Sequence, residues 1–476
     1  MTRRAVPLVL LLLTGCAVEP KFHPPLSPNA AAAGFVTRSP ALALEPPPQD
    51  WWRLFNSPDL DRLISDALAA NKDLTVANAN LRRARSALLE ARAGRLPSTD
   101  LSTSATKGYA SSESTAALTG RRGYESYAVG LDVSYEVDLF GRVSRSIEAA
   151  RADAAAQEAA RDVVRVSVVA ETARAYAGAC AAAHQLAVAN QTLSLQQQTL
   201  DLTRRLLADG RNTPLDVARA AALVEQYRAN IPTFATQRTS ALFRLAVLTG
   251  RHPSQAPEMA VNCTSTPRVT SALPVGDGEA LIRRRPDIRQ AEQRLAAYTA
   301  RVGVATADLY PSIRLLGSAG WSGARAGDLG QGKTFQYSIG PLISWSFPNQ
   351  VAARARVREA KADVDAALAT FDKTVLEGLQ DADTALTTYA NELDRNAALV
   401  NAAAQAKEAA RIVDVRYRAG KENFLAVLDA ERTLAGADAA LAASDAALVD
   451  DQILVFKALG GGWAGPADPS GRSTTR

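Results

Sequence analysis

Residues 127–138 read YAVGLDVSYEVD: Tyr127, Val129, Leu131, Val133, Tyr135 and Val137 alternate strictly with Ala128, Gly130, Asp132, Ser134, Glu136 and Asp138. A period of two puts each set on its own face of a pleated strand, so this segment is a strand with one apolar and one polar face. Downstream, Ile339, Ile343, Trp345 and Phe347 oppose Ser338, Gly340, Ser344 and Ser346, with Pro341 interrupting the apolar side. A weaker strand precedes each, at Leu101 to Tyr109 and at Ile313 to Trp321. The sequence therefore carries two hairpins, with Gly- and Ser-rich tips at Ser111 to Ser126 and Gly323 to Thr334. Strands of about 9 to 13 residues, edged by aromatics (Tyr109, Tyr127, Trp321, Tyr337, Trp345), have the format of outer-membrane barrel strands. Four such strands cannot close a bacterial barrel, and an open edge in lipid leaves backbone groups unpaired at a cost of several kcal/mol each. Either several chains share one barrel, or the strands form a small soluble sheet on a helical body.

After each hairpin the period changes. Val143 to Ala208 and Val351 to Ala419 are Ala-rich, free of proline and patterned for helix. At ~1.5 Å per residue each spans on the order of 100 Å. In the first, Leu186, Leu193, Leu200 and Leu207 recur every seven residues, and Val188, Leu195 and Leu202 do so two positions later. Seven-residue spacing is a coiled-coil seam, and two residues turn a helix by about 200°, so this rod has seams on nearly opposite sides. Two opposed stripes suit a stave in a hollow cylinder. The second rod uses smaller residues, Ala402, Ala403, Ala406 and Ala410, and shows the stripes less clearly. Gly210 and Gly420 end the rods as left-handed stops, and return helices follow from Leu215 to Leu248 and from Phe424 to Leu459. The turns at 209–215 and 419–425 form the far end of the rods. Upstream of the strands, Leu60 to Ala93 reads as one amphipathic helical stretch closed by Pro97, and Pro311 closes its counterpart.

The elements recur because the sequence does. At an offset of 214, Asp73 pairs with Asp287, Ala77 with Ala291, Leu81 with Leu295, Pro97 with Pro311 and Leu101 with Leu315. From Tyr127 onward the offset is 210, pairing Tyr127 with Tyr337, Gly210 with Gly420, Leu215 with Leu425 and Gly250 with Gly460. The change of four residues falls between Ser104 and Tyr127, where a surface loop absorbs it. The chain reads as two copies of one unit, 51–250 and 275–463, joined by a linker at 251–274 and followed by a flexible tail at 464–476.

Composition alone hides this. The 476 residues are 47% hydrophobic and 22% charged, and the longest apolar run, Ala5 to Leu13, is nine residues where a spanning helix needs roughly 20. A net charge of +5 is too balanced to imply nucleic acid, and His23, His184 and His252 are too scattered for a metal site. No nucleophile lies beside a base and no phosphate loop is present, so neither enzymatic activity nor a cofactor is expected. Arg3 and Arg4, the apolar run, and Leu13-Thr14-Gly15-Cys16 look like a bacterial lipoprotein signal over residues 1–15. That likeness implies acyl chains on Cys16 as the only covalent addition, and Ala17 favours the outer membrane. Eight prolines between Pro20 and Pro48 make residues 16–50 an extended lipidated tether, expected to enter neither helix nor sheet. Cys180 and Cys263 read as two buried thiols, with pairing the alternative if both lie near mid-height of the cylinder.

Several motifs in this order resemble one family. They are Trp51-Trp52-Arg53-Leu54-Phe55 with Asn71-Lys72-Asp73-Leu74, Arg283-Arg284-Arg285-Pro286-Asp287-Ile288 with Ala291-Glu292, Arg416-Tyr417-Arg418-Ala419-Gly420, Leu428-Asp429-Ala430, and Ala458-Leu459-Gly460-Gly461-Gly462-Trp463. Over the whole mature chain it is similar to the TolC-like outer-membrane efflux proteins, in the lipoprotein branch typified by OprM and NodT. The resemblance implies a mainly α fold with a transmembrane β part: a homotrimer giving four strands per chain to a shared 12-stranded barrel, continued by a helical cylinder across the periplasm. It implies a passive duct for drugs or toxic compounds in the outer membrane of a Gram-negative bacterium. Its partners would be a periplasmic adaptor, an inner-membrane pump of RND type, and outer-membrane lipid. Protein secretion or metal-ion export by a similar duct, or a periplasmic adaptor or structural coiled-coil lipoprotein, are the other readings. Carried over position by position, the family pattern makes Leu425 an apolar constriction and Asp429 an acidic ring at the periplasmic gate. Arg416 and Tyr417 would hold the Gly420 hairpin against its neighbour, with Asp216 the acceptor for Tyr417. The chain departs from the pattern at Ala426, where some members have a second acidic residue, and at Glu422, where some have a basic one.

Overall fold

The computed structural model describes residues 22–24, 34–109, 111 and 123–462. Cys16 with the signal before it, much of the tether, most of the first hairpin tip, Trp463 and the tail at 464–476 lie outside the described residues. The elements begin with β1 (Leu42–Ala43), a 3-10 turn (Trp51–Phe55), α1 (Pro58–Ala70), α2 (Lys72–Ala93), β2 (Ser98–Tyr109), β3 (Gly123–Val137), α3 (Arg142–Ala208) and α4 (Pro214–Leu248). Then come α5 (Glu258–Val261), β4 (Leu273–Pro274), α6 (Gly278–Arg284), α7 (Pro286–Ala307), β5 (Ser312–Gly323), β6 (Phe335–Ser344), α8 (Val351–Arg418) and α9 (Phe424–Ala458). Two helices, two strands, a long helix and a shorter one thus follow each other twice. Among the described residues no helix is long and apolar enough to cross a membrane. The chain forms two compact units, the described parts of Asn80–Glu158 with Gln290–Asp372, and residues 34–79, 159–289 and 373–462.

The first unit carries one antiparallel sheet in the order β2-β3-β5-β6. Its register stacks the alternation of each strand on that of the next. Thr99, Val133, Gly317 and Ile339 form one row; Leu101, Leu131, Ala319 and Tyr337 the next on the same face; Thr103, Val129, Trp321 and Phe335 a third. Between them run polar rows, Asp100, Asp132, Ser318 and Ser338, then Ser102, Gly130, Gly320 and Gln336. One face of the whole sheet is apolar and the other polar, as a period of two requires. The apolar face is uncovered: Leu101 is 76%, and Tyr337 and Ile339 are each 75% exposed. β2 and β6 are edges without a further partner strand among the described residues. β6 ends at Ser344, so Trp345 and Phe347 lie outside the ladder that the alternation assigned them to. The Trp345 indole N–H donates to the Leu309 carbonyl (3.1 Å) and its ring stacks on Phe347 at 4.6 Å. Phe140 stacks on Tyr310 (4.8 Å), so aromatics gather where the strands meet the helices. Asp138, the last residue of the alternation, caps α3 by accepting from Val143 N (2.9 Å) and Ser144 N (2.8 Å).

In the second unit, α1 starts on a Ser57 cap with Pro58 at its first position and buries Leu60, Leu63, Ile64 and Ala67. The stretch from Leu60 to Ala93 does not continue as one helix. It breaks at Asn71 (ψ 134°), whose Oδ1 accepts from Leu74 N (3.1 Å) to start α2 and whose Nδ2 donates to the Leu248 carbonyl at the end of α4 (3.1 Å). The second copy breaks at Arg285, the repeat of Asn71, and Arg285 Nη1 donates to the Ala458 carbonyl at the end of α9 (3.0 Å). Ala458 is itself the repeat of Leu248, so the two copies share this contact as well as their element order. Trp51, fully buried, stacks on Phe456 at 5.0 Å and lies so close to Gly461 that a Cβ there would stand 2.6 Å from its ring. The Trp motif and the Gly motif thereby form one joint.

The tether and the cysteines also differ from expectation. The Pro-rich tether does enter a sheet: Leu42 and Ala43 pair in parallel with Leu273 and Pro274. The tether contributes carbonyls, with Leu273 N donating to Ala41 O (2.8 Å) and Val275 N to Ala43 O (2.9 Å), and nearby prolines leave that half of a ladder intact. Cys180 and Cys263 are not free thiols but a disulfide, S–S 1.97 Å, joining α3 to the linker just after α5. The Gln452 side chain clamps the same linker, accepting from Val269 N (3.1 Å) and donating to Val269 O (2.8 Å).

Candidate functional site

The two turns between long and return helices are built alike. Gly210 and Gly420 both sit at φ 71°, a left-handed angle only glycine takes without strain. In each, the glycine N–H donates three residues back, to Leu207 O (3.0 Å) or Tyr417 O (2.9 Å). The next N–H reaches five back, to Leu206 O (2.8 Å) or Arg416 O (2.9 Å). This is the Schellman stop, which satisfies carbonyls that a helix end otherwise leaves unpaired. The return helices then start on side-chain caps. Thr213 and Asp216 form a reciprocal capping box on α4, and Asn423 Oδ1 accepts from Ala426 N (2.9 Å) on α9. Ala426 is the repeat of Asp216, so the second copy keeps the cap and lacks the box.

Behind the turns lies an apolar cluster of Leu200 from α3, Ala220, Leu223 and Val224 from α4, and Phe424, Val427 and Leu428 from α9. Leu193 and Tyr417 pack against it, so one of the two leucine seams of α3 is spent here. The other seam is more open, with Leu195 45% exposed. Tyr417 bridges the turns: its hydroxyl accepts from Asn212 Nδ2 (3.1 Å), and its ring lies 5.9 Å from Phe424.

Each residue expected at the site can now be placed. Leu425 is 57% exposed in the first turn of α9, and Asp429, one helical turn on, is exposed on the same face, directed away from Phe424, Val427 and Leu428. Arg416 Nε pairs with Glu422 Oε2 at 3.2 Å inside its own turn. Asp216 is not the acceptor for Tyr417. Its Oδ2 is held by Thr213 N (3.0 Å) and Thr213 Oγ1 (2.7 Å), because a cap three residues away forms whenever the helix does, and Asn212 takes the tyrosine instead. Three residues were not singled out. Asn212 occupies the repeat position of Glu422, which could have marked it. Leu215, the repeat of Leu425, is 56% exposed and is followed one turn later by exposed Arg219, so each chain presents two leucine-bearing helix starts whose charges are opposite. Glu431, two residues beyond Asp429, accepts from Thr199 Oγ1 (2.8 Å), and burial raises its carboxyl above the usual range against that hydrogen bond.

Comparison with known proteins places these features in a wider set. The family model for outer membrane efflux proteins matches residues 63–251 and 278–461. Outer membrane protein OprJ of Pseudomonas aeruginosa is 31% identical over 465 residues, 96% of this chain and 95% of OprJ. The toluene efflux pump outer membrane protein TtgC of Pseudomonas putida is 30% identical over 97% of this chain and 96% of TtgC. The solved structure of the outer-membrane channel OprN is similar with a TM-score of 0.87 at 35% identity, over 94% of this chain and 100% of that one.

Proposed function

The chain belongs to the outer membrane efflux protein family, and from that premise we propose that three copies share one 12-stranded barrel and form a passive exit duct for small molecules. The observation that carries this is the sheet: four strands in one register, an uncovered apolar face, and two open edges. In lipid such edges require partners, and a second and third copy supply them identically. The apolar rows run from Tyr127 to Val137 on β3, about 33 Å along the strand, which at the usual tilt of about 40° covers the ~25 Å lipid-facing band of an outer-membrane barrel. The polar rows then face the lumen.

The long helices continue the duct into the periplasm, with the open Leu195 seam of α3 available to neighbouring staves. Conduction rather than chemistry is the task of this family, so energy comes from an inner-membrane pump of RND type, reached through a periplasmic adaptor. Small toxic compounds and drugs are the cargo, in keeping with the solvent named for the relative TtgC. Acyl chains on Cys16 anchor the tether in the outer membrane.

Threefold symmetry turns a single exposed side chain into a ring. Leu425 then closes the periplasmic end as an apolar constriction that dewets, and Asp429 one turn behind it draws cations toward the opening. The tie from Tyr417 to Asn212 and the pair of Arg416 with Glu422 keep each turn in the shape that presents those rings. In planar bilayers Leu425→Ser and Arg416→Ala should each raise single-channel conductance, whereas Leu425→Ile leaves it unchanged. Conductance equal to the unmodified protein in both Leu425→Ser and Arg416→Ala would remove the gate from these turns.

A further inference from the structure

The second unit holds a cavity of about 500 Å³ walled by α3, α8 and α9 and by the head of α7. Nearly every charge that lines it is already matched. Arg285 pairs with Asp287 (2.6 Å) and Asp381 (3.2 Å), and Lys457 lies 3.7 Å from Glu171. Asp451 is the exception: half-buried on α9, it has neither a hydrogen bond nor an ion pair among the described residues. Around it the walls are mixed: Val163 and Val166 from α3, Ala385 from α8 and Leu454 one turn along α9 are apolar, while Ser167, Gln380, Thr384 and Thr388 add uncharged polar groups.

One unmatched carboxylate beside the apolar patch of Val163, Val166, Ala385 and Leu454 is complementary to one positive charge on an apolar body. A divalent metal asks for several oxygen ligands, and no group of three or more suitable side chains occurs among the described residues. A hydrated alkali ion could be met by Ser167, Gln380, Thr384 and Thr388 but would leave Val163, Val166 and Leu454 unused. We propose that this cavity binds a lipophilic monovalent organic cation, with Asp451 as counter-ion and Val163, Val166, Ala385 and Leu454 against its apolar part. The site is separate from the Leu425 turns, and because binding is an equilibrium property its test does not depend on conduction.

The surroundings of Asp451 agree with that reading. Burial, and then the like charges of Asp450 and Glu392, push its carboxyl up to about 6. Lys457 on α9, Asp381 on α8 and Arg285 and Asp287 at α7 line the same cavity, Asp450 on α9 and Glu392 on α8 act on Asp451 as like charges, and Glu171 and Arg174 on α3 pair with Lys457 and Asp450. Each cation among them is engaged elsewhere, Arg174 by Asp450 at 2.6 Å. A raised pKa means that ionised Asp451 costs the fold free energy above about pH 6, and a bound cation offsets that cost. Affinity is therefore full above that pH and falls as pH drops through it.

The test uses the full-length protein in detergent, dialysed to equilibrium against tetraphenylphosphonium. Saturable binding is expected, about tenfold weaker at pH 5 than at pH 8 for a carboxyl that titrates near 6. Tetraphenylborate, of the same shape and opposite charge, should neither bind saturably nor compete. Asp451→Asn should abolish the pH dependence and weaken binding by at least about tenfold. Ser167→Leu, which fills the α3 wall and leaves the carboxylate in place, should weaken it too. Absence of saturable phosphonium binding, equal binding of the borate, or binding indifferent to pH overturns the proposal. The comparison of the two ions and the pH series need only the unmodified protein, so they decide even if a variant fails to fold.

Discussion

Arg285 stands where a helix breaks and holds the break in place. Its side chain is 12% exposed, pairs with Asp287 and Asp381, and donates to the carbonyls of Ala458 (3.0 Å) and Gly378 (3.4 Å). Removing it leaves Asp287 with only the Ile288 N–H and takes the side-chain donor from the Ala458 carbonyl, a loss on the order of 1 to 3 kcal/mol. Arg285→Ala should therefore lower the thermal midpoint followed by circular dichroism by several degrees, with Arg285→Lys intermediate because it keeps the charge and loses the fork. A midpoint within a degree of the unmodified protein would show that the Arg285 contacts do not hold this joint. At this scale the sequence is legible only in part. Leu425 and Asp429 could be placed at a helix start from Gly420 alone, and their common exposed face follows from a spacing of four. Asp216 shows the limit, since spacing does not reveal whether a carboxylate serves its own helix cap or a tyrosine 201 positions away. Local capping wins because it costs no long-range ordering.

Among the elements, strands and rods were the most legible because their periods are long and regular. The rods expected from residues 143 and 351 begin at Arg142 and Val351, and both end within a residue of the expected point. The break at Asn71 was hidden because its cause, a side-chain bond to Leu248, lies 177 residues away while the local pattern stays helical. The same is true of the disulfide between Cys180 and Cys263, 83 residues apart, and of the short ladder between tether and linker. The faces of the sheet yield a prediction of their own. Ile339 lies in a middle apolar row and Ser338 beside it in a polar row, its Oγ 2.8 Å from that of Ser318. Ile339→Arg should reduce the amount of protein recovered in the outer membrane, since an arginine facing mid-bilayer costs about 2 to 4 kcal/mol. Ser338→Arg, in the same polar row as Asp132 and Asp100, should be tolerated. Equal recovery of both variants would show that the apolar face does not meet lipid.

For the whole molecule, composition points away from the membrane, because no apolar run exceeds nine residues. The sheet explains how both statements hold: a lipid-facing strand shows its apolar side only at alternate residues, and averaging removes it. The repeated element order and the matching turns were readable from one chain, whereas the two compact units, each of which draws on both repeats, were not. Nor was the number of chains, because the edges of β2 and β6 record only that a partner is needed. Native mass spectrometry of the protein extracted from the outer membrane in detergent measures that number directly. The account predicts a single assembly of three chains, each beginning at Cys16 and heavier than residues 16–476 by its acyl groups. A particle containing one chain, stable in detergent with its four strands unpartnered, would contradict it.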